Sequence, residues 1–238
     1  MNAIAGSHRA GTQRGFYLGA TFVFLALVAW AFARTYYLKL WFGTPVLPVL
    51  LHVHGAVMSG WVALLALQSG LVATHRVQWH RRLGAFGACW AALVVAMGST
   101  TTVHAAARAV HAQSGSAPVL VIIMGLELLQ MLFFAAFVAL AIRWRRRTDI
   151  HKRLMLMTIA CMLPSVLSRL PVAFMSNGVI LLGLDAFVAG CLLVDTWLNR
   201  RVHPALAWSG GVFVVAFQIA FFAFQTPTYL RAATALVR

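Results

Sequence analysis

Seven stretches of the chain stay apolar for roughly 18–25 residues each, and polar residues collect between them. They run over about 16–33, 48–73, 83–107, 118–142, 153–174, 179–198 and 205–225. At about 1.5 Å per residue such a run crosses about 30 Å of hydrocarbon, so each reads as a membrane-spanning helix. Prolines mark the starts: Pro45 and Pro48 before the second span, Pro118 at the fourth and Pro204 at the seventh, where the missing N–H is tolerated. "SNG" at 176–178 reads as a tight turn between the fifth and sixth spans. Pro164 and Pro171 fall inside the fifth and predict kinks there. The expected fold is all-α, a polytopic transmembrane bundle of seven spans forming one domain over 16–225. An N-terminal segment, 1–15, and a short tail, 226–238, flank it.

Charge orients the bundle. On the N-terminal face lie Arg9, Arg14, Arg76, Arg81, Arg82, Arg143, Arg145, Arg146, Arg147, Lys152, Arg153, Arg200 and Arg201, thirteen in all. The opposite face holds five: Arg34, Lys39, Arg108, Arg231 and Arg238, while Arg169 lies within the fifth span. Positive loops stay inside, so the N-terminus is expected in the cytoplasm and the C-terminal tail outside. The net charge of +15 would suggest nucleic acid in a soluble chain. Here only 10% of residues are charged, against about 25% in soluble domains, and the basic ones flank apolar runs. That pattern excludes nucleic acid and makes the lipid bilayer, with a bacterial inner membrane as its setting, the partner. The first span follows a short basic segment with no small-residue cleavage site and is read as retained. Cys89, Cys161 and Cys191 lie within helices without CxxC spacing, which fits packing.

The histidines fall into two groups by depth. His80 and His151 open the third and fifth spans at the N-terminal face. His52, His54 and His104 sit toward the opposite face. His54, Met58, Trp61, Leu65 and Gln68 form one stripe of the second helix, from which His52 diverges by about 200°. His151, Met155, Thr158, Met162, Ser165 and Arg169 form another on the fifth. On the third, Ala85, Cys89, Ala92 and Ala96 make a small-residue face that would admit a close helix. Glu127 lies about 14 Å into its span, where a bare charge costs about 2.5–3.5 kcal/mol. Arg169 and Asp185 share a depth, which suggests an ion pair.

Two imidazoles from two helices at one depth suit a b-type haem. His80 and His151 meet that condition, with Arg81, Arg82, Lys152 and Arg153 placed to hold its propionates; His54 with His104 would serve a second haem. A quinone or another small redox partner would then exchange electrons with the protein, a membrane oxidoreductase. A second reading is a non-haem site for Zn, Fe or Cu built from His52, His54, His104, Glu127 and Asp185. A third is proton-coupled transport through Glu127, Asp185, Asp195, Arg169 and the histidines, and a fourth is a structural membrane protein without cofactor. A retinal protein is excluded, because the seventh span carries no lysine.

The segments "HGAVMSGWVALLALQSGLVATHRVQWHRRLGAFG" (54–87) and "RRRTDIHKRLM" (145–155) resemble a group of uncharacterised bacterial multi-pass membrane proteins. That group shows an HG…W…Q…HRxLG segment followed by a basic loop into HKRLM. The chain is more distantly similar to the ascorbate-dependent transmembrane b-type cytochromes. The similarity implies four core helices, spans two to five, with one haem between the second and fourth of them, where His80 and His151 lie. It implies a second haem between the first and third core helices. The fourth span carries no histidine, so either His104 substitutes or the second haem is absent.

Overall fold

Inside hydrocarbon every backbone N–H and C=O must find a partner within the protein, and a helix provides one within each segment. The computed structural model describes residues 2–172 and 176–238, and every regular element among them is a helix. In order these are α1 (Asn2–Ala31), a π-helical turn (Ala33–Tyr37), α2 (Val49–Ala73), α3 (Val77–His111) and α4 (Ala117–Arg143). Then come α5 (Thr148–Leu167), α6 (Asn177–Asn199), α7 (Pro204–Ala223) and α8 (Pro227–Leu236). Seven of them, α1 to α7, are long and apolar enough to cross a membrane. The protein is an integral membrane helix bundle.

The ends differ from expectation for local reasons. Residues expected as an N-terminal segment, 1–15, continue α1 back to Asn2. α3 begins six residues earlier than its apolar run, because polar residues can sit in a helix that outgrows the hydrocarbon. Ser176 caps α6 by accepting from Val179 N, so "SNG" is a helix start rather than a free-standing turn. Pro164 lies within α5, whereas Pro171 falls beyond its end at Leu167 and kinks no helix. The last residues expected in that span, 173 and 174, lie outside the described residues.

α5 occupies the centre. Twelve of its twenty residues are buried, and it packs against α1, α4, α6 and α7. α2, α3 and α4 pack in chain order around one side. Trp61 of α2 meets Phe134 of α4 edge-on at 5.0 Å between ring centroids. Gly60 makes room for the Trp90 ring, whose indole N–H donates to the Val57 carbonyl at 2.9 Å. The small-residue face of α3 turns the other way. Ala85, Cys89, Ala92 and Ala96 are exposed, and Ala91, Val94, Gly98 and Thr102 do the packing.

The expected tail is α8, an amphipathic helix of ten residues. Tyr229 stacks on Phe224 and donates to the Val121 carbonyl of α4 at 3.2 Å. Gly125 is required beneath it, because a Cβ there would collide with the Tyr229 hydroxyl and the Phe224 ring. Ala233 is buried with Ala106, Val121 and Met124.

A polar network ties α1, α5 and α6 together at the N-terminal end of the bundle. Arg153 makes a fork-to-fork pair with Asp195, Nε to Oδ2 at 2.9 Å and Nη2 to Oδ1 at 2.8 Å, and both side chains are buried. Its Nη1 donates to the Asp149 carbonyl at 2.6 Å, and the Tyr17 hydroxyl donates to Asp195 Oδ1 at 3.1 Å. Lys152 donates to Gln13, Gln13 to Asn199, and Asn199 to the Asp195 carbonyl. Removing one partner strands a buried charge, so Asp195→Asn or Arg153→Met should each cost about 3–5 kcal/mol in detergent unfolding. The double change Arg153→Met with Asp195→Leu should recover most of that loss. A double variant no better than the singles would show that the stranded charge is not the cause.

Candidate functional site

At the N-terminal end of the bundle, α3 and α5 bring His80 and His151 face to edge. Their ring centroids lie 6.2 Å apart at an interplanar angle of 81°. His151 donates Nδ1–H to the Ala141 carbonyl of α4 at 2.9 Å, in the tautomer that leaves Nε2 as an open acceptor. His80 has its Nδ1 buried with no hydrogen-bond partner and lies against the Gln68 backbone of α2. The side-chain oxygen of Gln68 is likewise buried and unpartnered. On α3, one turn beyond His80, nothing lies within 4 Å of where a Cβ on Gly84 would stand. Residues of α2, α3, α4 and α5 thus meet around two imidazoles, His80 with a buried, unpartnered Nδ1 and His151 with its Nδ1 committed to Ala141.

The basic residues read as propionate partners divide. Arg81 and Arg82 are exposed beside His80, with the Arg82 guanidinium over the Trp79 ring at 5.2 Å. Lys152 turns away to Gln13 and lies over the Tyr17 ring at 5.1 Å. Arg153 is consumed by Asp195. It lies about 200° around α5 from His151, so one residue faces α6 while the other faces α4. Neither Lys152 nor Arg153 is placed to serve a propionate.

The opposite end does not assemble the sets expected of it. His54 turns inward, with Nδ1 buried and unpartnered, its ring against the Met97 backbone and both Glu127 and Arg169 within electrostatic range. His104 is exposed on α3 and does not join it as a second ligand. His52, in the first turn of α2, faces the preceding segment: Lys39 donates to its Nε2 at 3.3 Å, and the Tyr36 hydroxyl donates to its carbonyl. Among the described residues no three of His, Cys, Asp and Glu converge as a metal-binding group. The five proposed non-haem ligands are thus spread over separate contacts, because α2 turns His52 and His54 to different sides and His104 lies on an exposed face of α3. Comparison with known protein families, characterised proteins and solved structures gives no match.

The Arg169–Asp185 ion pair is also absent. Arg169 instead donates to the Ser165 carbonyl at 2.7 Å and lies over the Phe32 ring at 5.4 Å. Asp185 accepts from Gln218 of α7 at 2.8 Å and keeps its other oxygen buried without a partner. Arg169 lies just beyond the end of α5, whereas Asp185 lies about two turns into α6 and faces Gln218 of α7. Tyr17, Gln13 and Gln218 were missed as partners, since a lone polar residue in an apolar run gives no sign of which helix it will meet. A double-mutant cycle checks both assignments. Asp185→Asn with Arg169→Gln should be additive within about 0.5 kcal/mol, whereas Asp185→Asn with Gln218→Leu should couple by about 0.5–3 kcal/mol. The reverse pattern would restore the ion pair.

Proposed function

We propose that the protein is a membrane redox protein that would carry one b-type haem, held by His80 and His151. The observation that carries this reading is the spacing of the two rings. Two imidazoles this close together, drawn from separate helices, could both hold one haem. The centroids here are 6.2 Å apart. The bond from His151 Nδ1 to the Ala141 carbonyl is the outer contact that orients a ligating histidine and fixes its tautomer. The similarity to the ascorbate-dependent transmembrane cytochromes asks for histidines on these same two core helices.

Haem supplies reversible one-electron chemistry at such a site. The chain's own contribution is placement. α5 holds His151 in one tautomer, α3 presents His80, and Arg81 and Arg82 are the remaining cations for the propionates at the helix end. On this reading the end faces the cytoplasm, as its excess of Lys and Arg favours, and the membrane is a bacterial inner membrane. Among the described residues His54 meets no second imidazole, so electrons would enter and leave at a single site through a quinone or another small redox partner.

The test is a reduced-minus-oxidised absorbance spectrum of protein purified from cells supplied with haem precursor. Sharp Soret and alpha bands should be present, should vanish in His80→Ala and in His151→Ala, and should persist in His54→Ala. Folded protein with a flat spectrum would sink the proposal. Proton or solute flux by that spectrally silent protein would favour transport instead.

A further inference from the structure

At the end of the bundle opposite His80 and His151, the chain builds a pocket of about 310 Å³. Three segments supply it: Arg34 and Thr35 from the π-helical turn, Phe42 and Thr44 from the loop that follows, and Arg169 and Pro171 from beyond α5. The frame is fixed. The Thr44 hydroxyl donates to the Arg34 carbonyl at 2.7 Å, and Gly43 takes a left-handed φ of 63° that turns the loop back. That turn sets the Phe42 ring under the Arg34 guanidinium at 5.3 Å. The π-helical turn is itself pinned on α2, where Gly55 leaves space for the Tyr36 ring and Tyr37 meets the Ser59 hydroxyl at 2.6 Å.

Both guanidinium groups are held by aromatic faces and not by acids. Among the described residues the Arg34 side chain finds no hydrogen-bond partner, and Arg169 uses only Nη1. The chain has four acidic residues. Asp149 pairs with His203, Asp195 with Arg153 and Asp185 with Gln218. Glu127, the fourth, is within ion-pair distance of neither arginine. Two exposed forks of N–H donors thus border one pocket with nothing negative to bind, an arrangement suited to a phosphate group. The same loop exposes Leu40 (87%), Trp41 (83%) and Val46 (90%), side chains that belong at the headgroup boundary of a membrane. The pocket therefore sits at the level of lipid phosphates.

We propose that Arg34 and Arg169 form a seat for a phosphate group, and that its occupant is the headgroup of a membrane phospholipid. The seat is independent of any cofactor. It differs from a diffuse basic surface because the loop and the two aromatic rings fix both guanidinium groups around one pocket.

The experiment is native mass spectrometry of the detergent-purified full chain, titrated in parallel with phosphatidylglycerol and with inorganic phosphate. The wild type should retain one phosphatidylglycerol, and Arg34→Gln with Arg169→Gln should weaken it about tenfold or more. Arg231→Gln with Arg238→Gln, which lowers the charge of the same end equally, should leave binding unchanged. Arg34→Gln alone keeps the test readable if the double variant misfolds, because among the described residues that side chain lies over the Phe42 ring and makes no hydrogen bond. Arginine-dependent binding of inorganic phosphate with lipid binding unaffected would keep the seat and overturn the lipid as its source. Lipid and phosphate binding both indifferent to the two arginines would overturn the seat.

Discussion

The buried pair of Arg153 and Asp195 sets the geometry of the bundle. In hydrocarbon neither charge can be left alone, so the pair decides how α5 and α6 are rotated about their own axes. Tyr17 brings α1 into the same arrangement, and the chain of Lys152, Gln13 and Asn199 closes it at the surface. Once α5 is turned so that Arg153 faces Asp195, His151 faces the opposite way, toward α4 and α3. The ion pair and the histidine pair are two sides of one helix. Such a pair is poor at adding stability relative to apolar residues, but it is strict about geometry, and rotation is what a helix in lipid otherwise lacks a reason to choose.

The two ends of the bundle handle their cations differently. At the N-terminal end Arg153 and Lys152 are drawn into the interior by acid, amide and aromatic partners. At the opposite end Arg34 and Arg169 rest on aromatic rings and carbonyls with their remaining donors open. With only four acidic residues in the chain, pairing is rationed, and three of the four are committed to contacts between helices.

The number and order of the spanning helices were legible in the apolar runs, because spanning length and backbone satisfaction leave few alternatives. Facing was much less so. In a soluble helix the apolar stripe marks the packed side, but here lipid and core are both apolar. That is why the Ala85–Ala96 face of α3 read as a contact and turned out exposed, and why His104, expected beside His54, lies on an exposed face instead. Arg153 read as an end-of-helix cation because its partners lie on α1 and α6, far away in sequence. α8 escaped notice for a different reason: ten residues are too short to register as a span, and its place is set by Gly125 on a distant helix.

The docking of α8 also has a consequence in time. Tyr229 reaches back 108 residues to the Val121 carbonyl. During synthesis α3 and α4 emerge long before it, with the notch between Ala106, Val121 and Met124 still uncovered. At about 5–20 residues per second that interval is on the order of 5–20 s, during which only lipid or a chaperone can cover the notch. This corner of the bundle is thus completed last, by a segment that crosses no membrane.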